Sequence, residues 1–219
     1  GQDQVSFKVE IWKGSYKNVP INLIVGKNAI ASHILNDPEV YSRETLNAKI
    51  GLYSQAMKLF MRFCIQKKAS CIPNLIHVHD HHPVPALLCC RQELNLAQLD
   101  AISIMMMHLL TWPRKELEFF WQSGANNEPM KIKIGNKVIK KRMREIYQIC
   151  FDLEPKIDAP PTLEKIGCVI ADKVLAVSEN FLHSDIIPNC GGELIADKTD
   201  FTWNGCDWEY IKHKKIVWD

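Results

Sequence analysis

An α/β fold, with a largely parallel sheet flanked by helices and an antiparallel hairpin at its start, follows from three features of the sequence. Short apolar runs alternate with helix-period segments over residues 44 to 210, the pattern of consecutive βαβ units. The chain opens differently, with the period-two alternation of an antiparallel pair. One apolar run, Asn74-Leu75-Ile76-His77-Val78-His79-Asp80-His81-His82, ends in a crowd of polar side chains just before Pro83 and Pro85. Ligands of open α/β sheets sit beyond the carboxyl ends of the strands, so this strand end is the expected site.

Composition narrows the classes. The 219 residues, 47% hydrophobic, suffice for one large domain or two small ones. A formal net charge of +2 gives no reason to expect nucleic acid or a membrane surface as partner. The apolar run Ala101 to Met107 is far too short to cross a bilayer. No leader is seen before Gly1, and a start at Gly1-Gln2 rather than methionine suits an excised piece of a longer chain. The eight cysteines contain no CxxC pair and read as free, buried thiols of a reducing cytoplasm. Cys64 and Cys71 are poorly spaced for zinc, and Cys89 and Cys90 would point to different sides of a helix.

In chain order, Val5, Phe7, Val9 and Ile11 fall on one face of a strand, Gly14-Ser15 with Asn18 supplies a turn, and Val19 to Val25 returns. Gly26 to Arg43 reads as loop, with Asn36-Asp37-Pro38 a turn. From Glu44 to Phe63, the stripe Leu46, Ile50, Tyr53, Met57, Phe60 and Cys64 predicts a long amphipathic helix, capped by Ser42 or Thr45 and buried along that stripe. Leu75 to Val78 is a buried strand, Pro85 to Leu94 a helix, and Ala101 to Met107 a fully apolar strand. Leu109 to about Lys137 reads as a long irregular loop or lid. Its basic residues Lys131, Lys133, Lys137, Lys140, Lys141 and Arg142 suit a solvated face or an anion contact. Helices are expected over Arg142 to Phe151 and Pro161 to Ala171. Strand Lys173 to Val177 follows, then Ser178 as N-cap of a helix over Glu179 to Ile186, and a short strand Phe201-Thr202-Trp203.

Two chemistries suit the histidine cluster. In a strand, His77 and His79 point to one side and His81 would continue that face, a spacing open to metal binding and to a metal- or His-dependent hydrolase. The histidine-triad and metallo-β-lactamase patterns each fail here, because Asp80 and His82 interrupt the first and Asp80 sits one position early for the second. The other chemistry is sugar handling. Neither GxGxxG nor a Walker lysine occurs, so no nucleotide grip is expected within the chain.

Four segments in one order carry a resemblance. Asn74 to His82 resembles the "pDvvHxHDWHt" segment of bacterial and archaeal glycogen and starch synthases, glycosyltransferase family 5. Ile104 to His108 is similar to that family's "vfTIHn" strand. Ile170-Ala171-Asp172-Lys173-Val174-Leu175-Ala176-Val177-Ser178 resembles "iADxvtTVSp", and Phe201 to Asp207 resembles "gxxNGID". The helix from Glu44 matches the one that precedes the His-Asp segment.

This resemblance implies a Rossmann-like domain, the N-terminal, acceptor-side half of a GT-B glucosyltransferase. Glucose would pass from ADP-glucose or UDP-glucose to the non-reducing end of an α-1,4-glucan, with retention and without a metal or other cofactor, in the cytoplasm. His79 and Asp80 would be the catalytic pair, His79 near the transferred glucose and Asp80 fixing the strand-end turn. His77, His82, His108, Ser178 and Asn204 would contact substrate. The chain departs from the family at His81 (tryptophan there), Leu109 (asparagine) and Glu179 (proline). The lysine-glycine-glycine loop and the nucleotide-binding C-terminal domain have no counterpart, so this piece alone is expected to be inactive. A non-catalytic glucan-binding module, with Trp203 and Trp208 as exposed aromatics, is a third possibility.

Overall fold

The structure, a computed structural model, describes residues 6–39, 41–68, 70–153 and 159–203. Strands β1 (Val9–Tyr16) and β2 (Val19–Gly26) form the expected antiparallel hairpin. Its turn is Lys17-Asn18, at φ 46° and 66°, the left-handed pair that two-residue hairpins prefer. Gly14-Ser15, expected in the turn, lies within β1, Gly14 opposite Ile21. The segment expected as loop holds helix α1 (Ala29–Leu35), started by Asn28, whose Oδ1 accepts from Ala31 N at 3.2 Å.

Helix α2 (Leu46–Gln66) matches the amphipathic prediction, but its buried face is not the predicted stripe. Ile50 and Cys64 are buried with Leu52, Ala56 and Met61, whereas Tyr53, Met57 and Phe60 line a cavity of about 680 Å³ beneath the hairpin. Thr45 occupies the N-cap position, yet its hydroxyl donates to Asp37 Oδ2 at 2.8 Å instead of capping. Cys64, in the last turn of the helix, forms a disulfide with Cys71 just past it. That corrects the expectation of free thiols at these two positions; a tight loop brings together residues whose separation said nothing about pairing. Cys89, Cys90, Cys168 and Cys190 are free and buried, and Cys150 is buried as well.

The remaining elements, in order, are β3 (Leu75–His79), α3 (Val84–Leu96), β4 (Ile102–Met107), α4 (Leu117–Gln122), β5 (Met130–Ile134), β6 (Lys137–Lys141), α5 (Met143–Asp152) and α6 (Leu163–Ile170). Then come β7 (Lys173–Ala176), α7 (Glu179–Phe181), a π-helical stretch Leu182–Ile186, α8 (Ile187–Cys190), α9 (Glu193–Ala196) and β8 (Thr199–Phe201). The expected lid is therefore half structured: α4 and the β5-β6 hairpin occupy it. Met130 and Ile132 anchor the hairpin in the core, while Lys131 and Lys141 pair outside with Asp100 and Glu145, each at 2.8 Å. The basic cluster is a solvated face.

Strands β3, β4, β7 and β8 make one parallel sheet in that order. Val78, Met105, Met107, Val174 and Ala176 are buried in one core with residues of α3 and α6. Gly167 permits α6 to approach this closely, since a Cβ there would meet Val84 Cγ2 at 2.7 Å and Met105 Cε at 2.9 Å. All four strands run the same way, so their carboxyl ends share one edge. Among the described residues no helix is long and apolar enough to cross a membrane.

Candidate functional site

At that edge the ends of β3 and β4 are tied together by Asp80. Its backbone turns at φ 55°, its N–H donates to Met106 O at 2.9 Å, and its Oδ1 accepts from His108 N at 2.8 Å and Leu109 N at 3.3 Å. A carboxylate beside two backbone donors at a strand end is a cap: it satisfies groups that the ladder has run out of partners for. This places His108 next to His79. His79 Nδ1 and His108 Nε2 are 2.9 Å apart, so one ring donates and the other accepts, and the two rings stack with centroids 5.2 Å apart. The His77 ring lies 4.5 Å from that of His79. Burial, then His79 and His108, hold the His77 pKa below its ordinary value.

His81 does not continue this face. Alternation of side chains holds only while the backbone stays extended, and the left-handed residue Asp80 breaks it. The His81 ring turns inward and is 4% exposed, with Nδ1 2.9 Å from Thr111 Oγ1. Thr111 Oγ1 in turn lies 3.0 Å from Glu164 Oε1, which also accepts from the backbone N–H of Thr111 at 3.0 Å and of Trp112 at 3.1 Å. His82 stacks on His81 at 3.9 Å between centroids and faces Tyr41 at 5.2 Å. It lines the cavity beneath the hairpin, with Asp37, Lys49 and Tyr53.

The expected site residues thus separate. His77, His79, Asp80 and His108 come together; His82 belongs to the cavity wall behind them. Ser178, at the end of β7, accepts from Phe181 N at 3.2 Å and is the predicted N-cap, its acceptor already engaged. Asn204 and Trp208 lie outside the described residues, and Trp203 is 71% exposed. Sequence reasoning missed Thr111, Glu164 and Tyr41, each isolated in sequence from the histidines. Among the described residues, no group of three or more His, Cys, Asp or Glu side chains is arranged to hold a metal ion.

Burial lowers the pKa of both His81 and His82; Lys115 adds to the first and His81 to the second, against the opposing pull of Asp80. The unfolded chain therefore protonates these rings first as pH falls below about 6.5, and stability declines from there until the folded rings protonate too. The urea midpoint is expected to be lower at about pH 5.5 than at about pH 7.5, with the gap narrowed in His82→Gln. An unchanged gap in that variant would remove His82 from the account.

Compared with known proteins, the chain matches no family model and no curated protein.

Proposed function

We propose that this chain is the acceptor-side domain of a glycogen- or starch-synthase-like retaining glucosyltransferase. One observation supports it above others. Three of the four segments that resemble that family cover β3, β4 and β7, neighbouring strands of the parallel sheet, and run out at its carboxyl edge, and the fourth begins there at Phe201, the last residue of β8. Scattered chance likenesses have no reason to converge on one edge.

On this reading the glucose being transferred sits over His79 and His108. An oxocarbenium-like transition state gains from hydrogen bonds and dipoles fixed in advance, and the paired imidazoles, held by the Asp80 cap, are such groups. Asp80 acts on position, its Oδ1 held by two backbone donors. The glucan approaches from the same edge. ADP-glucose or UDP-glucose is held by a second, nucleotide-binding domain facing it, with no metal or other cofactor, in the cytoplasm. The 219 residues alone bind glucan without transferring glucose.

The test is glucose incorporation into glycogen from each donor, by a protein that joins this domain to its nucleotide-binding partner, beside His79→Ala. Transfer that persists in chelator and falls about a hundredfold in the variant is expected, the usual loss for one fixed donor to developing charge. No incorporation from either donor would sink the proposal.

A further inference from the structure

We propose that Glu164, Thr111 and His81 form a fixed hydrogen-bond chain that makes His81 a positioned acceptor for a sugar hydroxyl at the ligand edge of the sheet. The ligand half of this rests on the glucan reading above; the chain itself does not.

Counting protons decides which way each bond runs. A threonine hydroxyl has one hydrogen and two lone pairs, and a carboxylate has only lone pairs. Thr111 Oγ1 lies 3.0 Å from Glu164 Oε1 and 2.9 Å from His81 Nδ1. Its hydrogen goes to the carboxylate, so toward the imidazole it can only accept. His81 must therefore carry its proton on Nδ1. Burial keeps the ring neutral, which leaves Nε2 as a bare lone pair. His81 Nε2 has no hydrogen-bond partner among the described residues.

The geometry is built to hold. Glu164 is fully buried in the first turn of α6, where the helix N-terminus favours its charge. Its Oε1 is pinned by the N–H groups of Thr111 and Trp112 as well as by the hydroxyl. Trp112 takes a left-handed φ of 61°, so the loop after β4 is bent to bring these donors round. Three segments distant in sequence thus converge on one ring nitrogen. Among the described residues, His82 Nε2, Ser123 Oγ and Glu164 Oε2 are the buried side-chain atoms without a partner. Two of these three flank the His81 ring. Unpaired buried polar atoms are costly and uncommon, and their concentration here sets this cluster apart from the rest of the core. A hydroxyl donor is the chemistry that a neutral imidazole acceptor recognises. Thr111 and Glu164 are positioning residues; His81 is the group that meets the ligand.

Nitrogen NMR of the histidine rings in the 219-residue chain tests this directly. His81 is expected to show the Nδ1–H form in the wild type and in Thr111→Ser, which keeps the hydroxyl. In Thr111→Val the ratio of Nδ1–H to Nε2–H should fall about tenfold, the size of one neutral hydrogen bond. Backbone amide spectra of the variants verify that the fold is retained. An Nε2–H ring in the wild type, or a valine variant indistinguishable from it, overturns the proposal. Maltotriose is then added. A shift at His81 Nε2, present with serine and weakened with valine, supports the ligand role. Shifts elsewhere along the edge that spare His81 overturn that role while leaving the glucan reading intact. No shift anywhere, with the Nδ1–H form in place, brings down the glucan reading and the ligand role together.

Discussion

Alanine at Arg91 is expected to destabilise the fold by about 3–5 kcal/mol, the penalty for breaking a buried, hydrogen-bonded ion pair from one side. Arg91 sits on α3, 9% exposed, at the amino end of the sheet, opposite to the candidate site. Its guanidinium donates to Ser103 Oγ at 2.6 Å, Lys131 O at 2.6 Å, Asp172 Oδ1 at 3.2 Å, and to Ile170 O. Lys198, also buried, donates to Val169 O at 2.8 Å, Ala171 O at 2.6 Å and Lys133 O at 2.8 Å, and burial brings its pKa down to about 8. Carbonyls 169 to 171 close α6, and a helix end leaves such groups without internal partners and with partial negative charge. Two buried cations therefore cap one buried helix terminus and hold the β5-β6 hairpin to it. Removing Arg91 strips partners from carbonyls of Ile170 and Lys131 and leaves Asp172 with Ser103 alone. Arg91→Lys retains the charge but not the planar fork, and should lose roughly half as much. Urea denaturation measures both; a loss below about 1 kcal/mol for alanine would mean that water replaces the guanidinium without penalty.

The parallel sheet was legible because its signal is local. β3, β4 and β7 are short apolar runs bounded by polar residues, and Ser178 caps its helix with its own side chain. α1 was not legible, although Asn28 starts it, because seven residues show no helical period to read. The β5-β6 hairpin carries its own alternation, with Gly135 at φ 55° in the turn, but its exposed lysines made it resemble a basic loop. The stripe on α2 was shifted because helical periodicity says which residues share a face and not which neighbour covers it. At the site, spacing placed His77 beside His79, and the likeness of Ile104 to His108 brought in His108. Spacing placed His81 wrongly, because extrapolating a strand by alternation assumes extended backbone through Asp80. Glu164 and Thr111 reach His81 only through tertiary contact, and nothing local to either announces it.

Asp80 carries two separable duties, and a substitution series should resolve them. The first is conformational: at φ 55° a residue with a Cβ is disfavoured by roughly 1 kcal/mol, less for Asp or Asn and not at all for Gly. The second is the Oδ1 cap on His108 N and Leu109 N. Asp80→Asn keeps the backbone preference and an acceptor but loses charge, and should destabilise by about 1 kcal/mol. Asp80→Gly keeps only the backbone freedom and should lose about 2 kcal/mol, the value of hydrogen bonds to a charged acceptor. Asp80→Ala loses both, for about 3 kcal/mol in all. The ordering Asn, Gly, Ala separates the cap from the turn, and equal losses for Gly and Ala would show that backbone strain plays no part. The histidine pair should follow the cap and not the turn. With His108 N released, the 2.9 Å contact between His79 and His108 loses one of its fixed ends, so on the proposed glucan reading binding should weaken in Gly and Ala alike while Asn retains it. Titrating each variant with maltotriose separates this from stability: if Gly, with its smaller loss of stability, bound as well as wild type, the strand-end cap would have no part in organising the site.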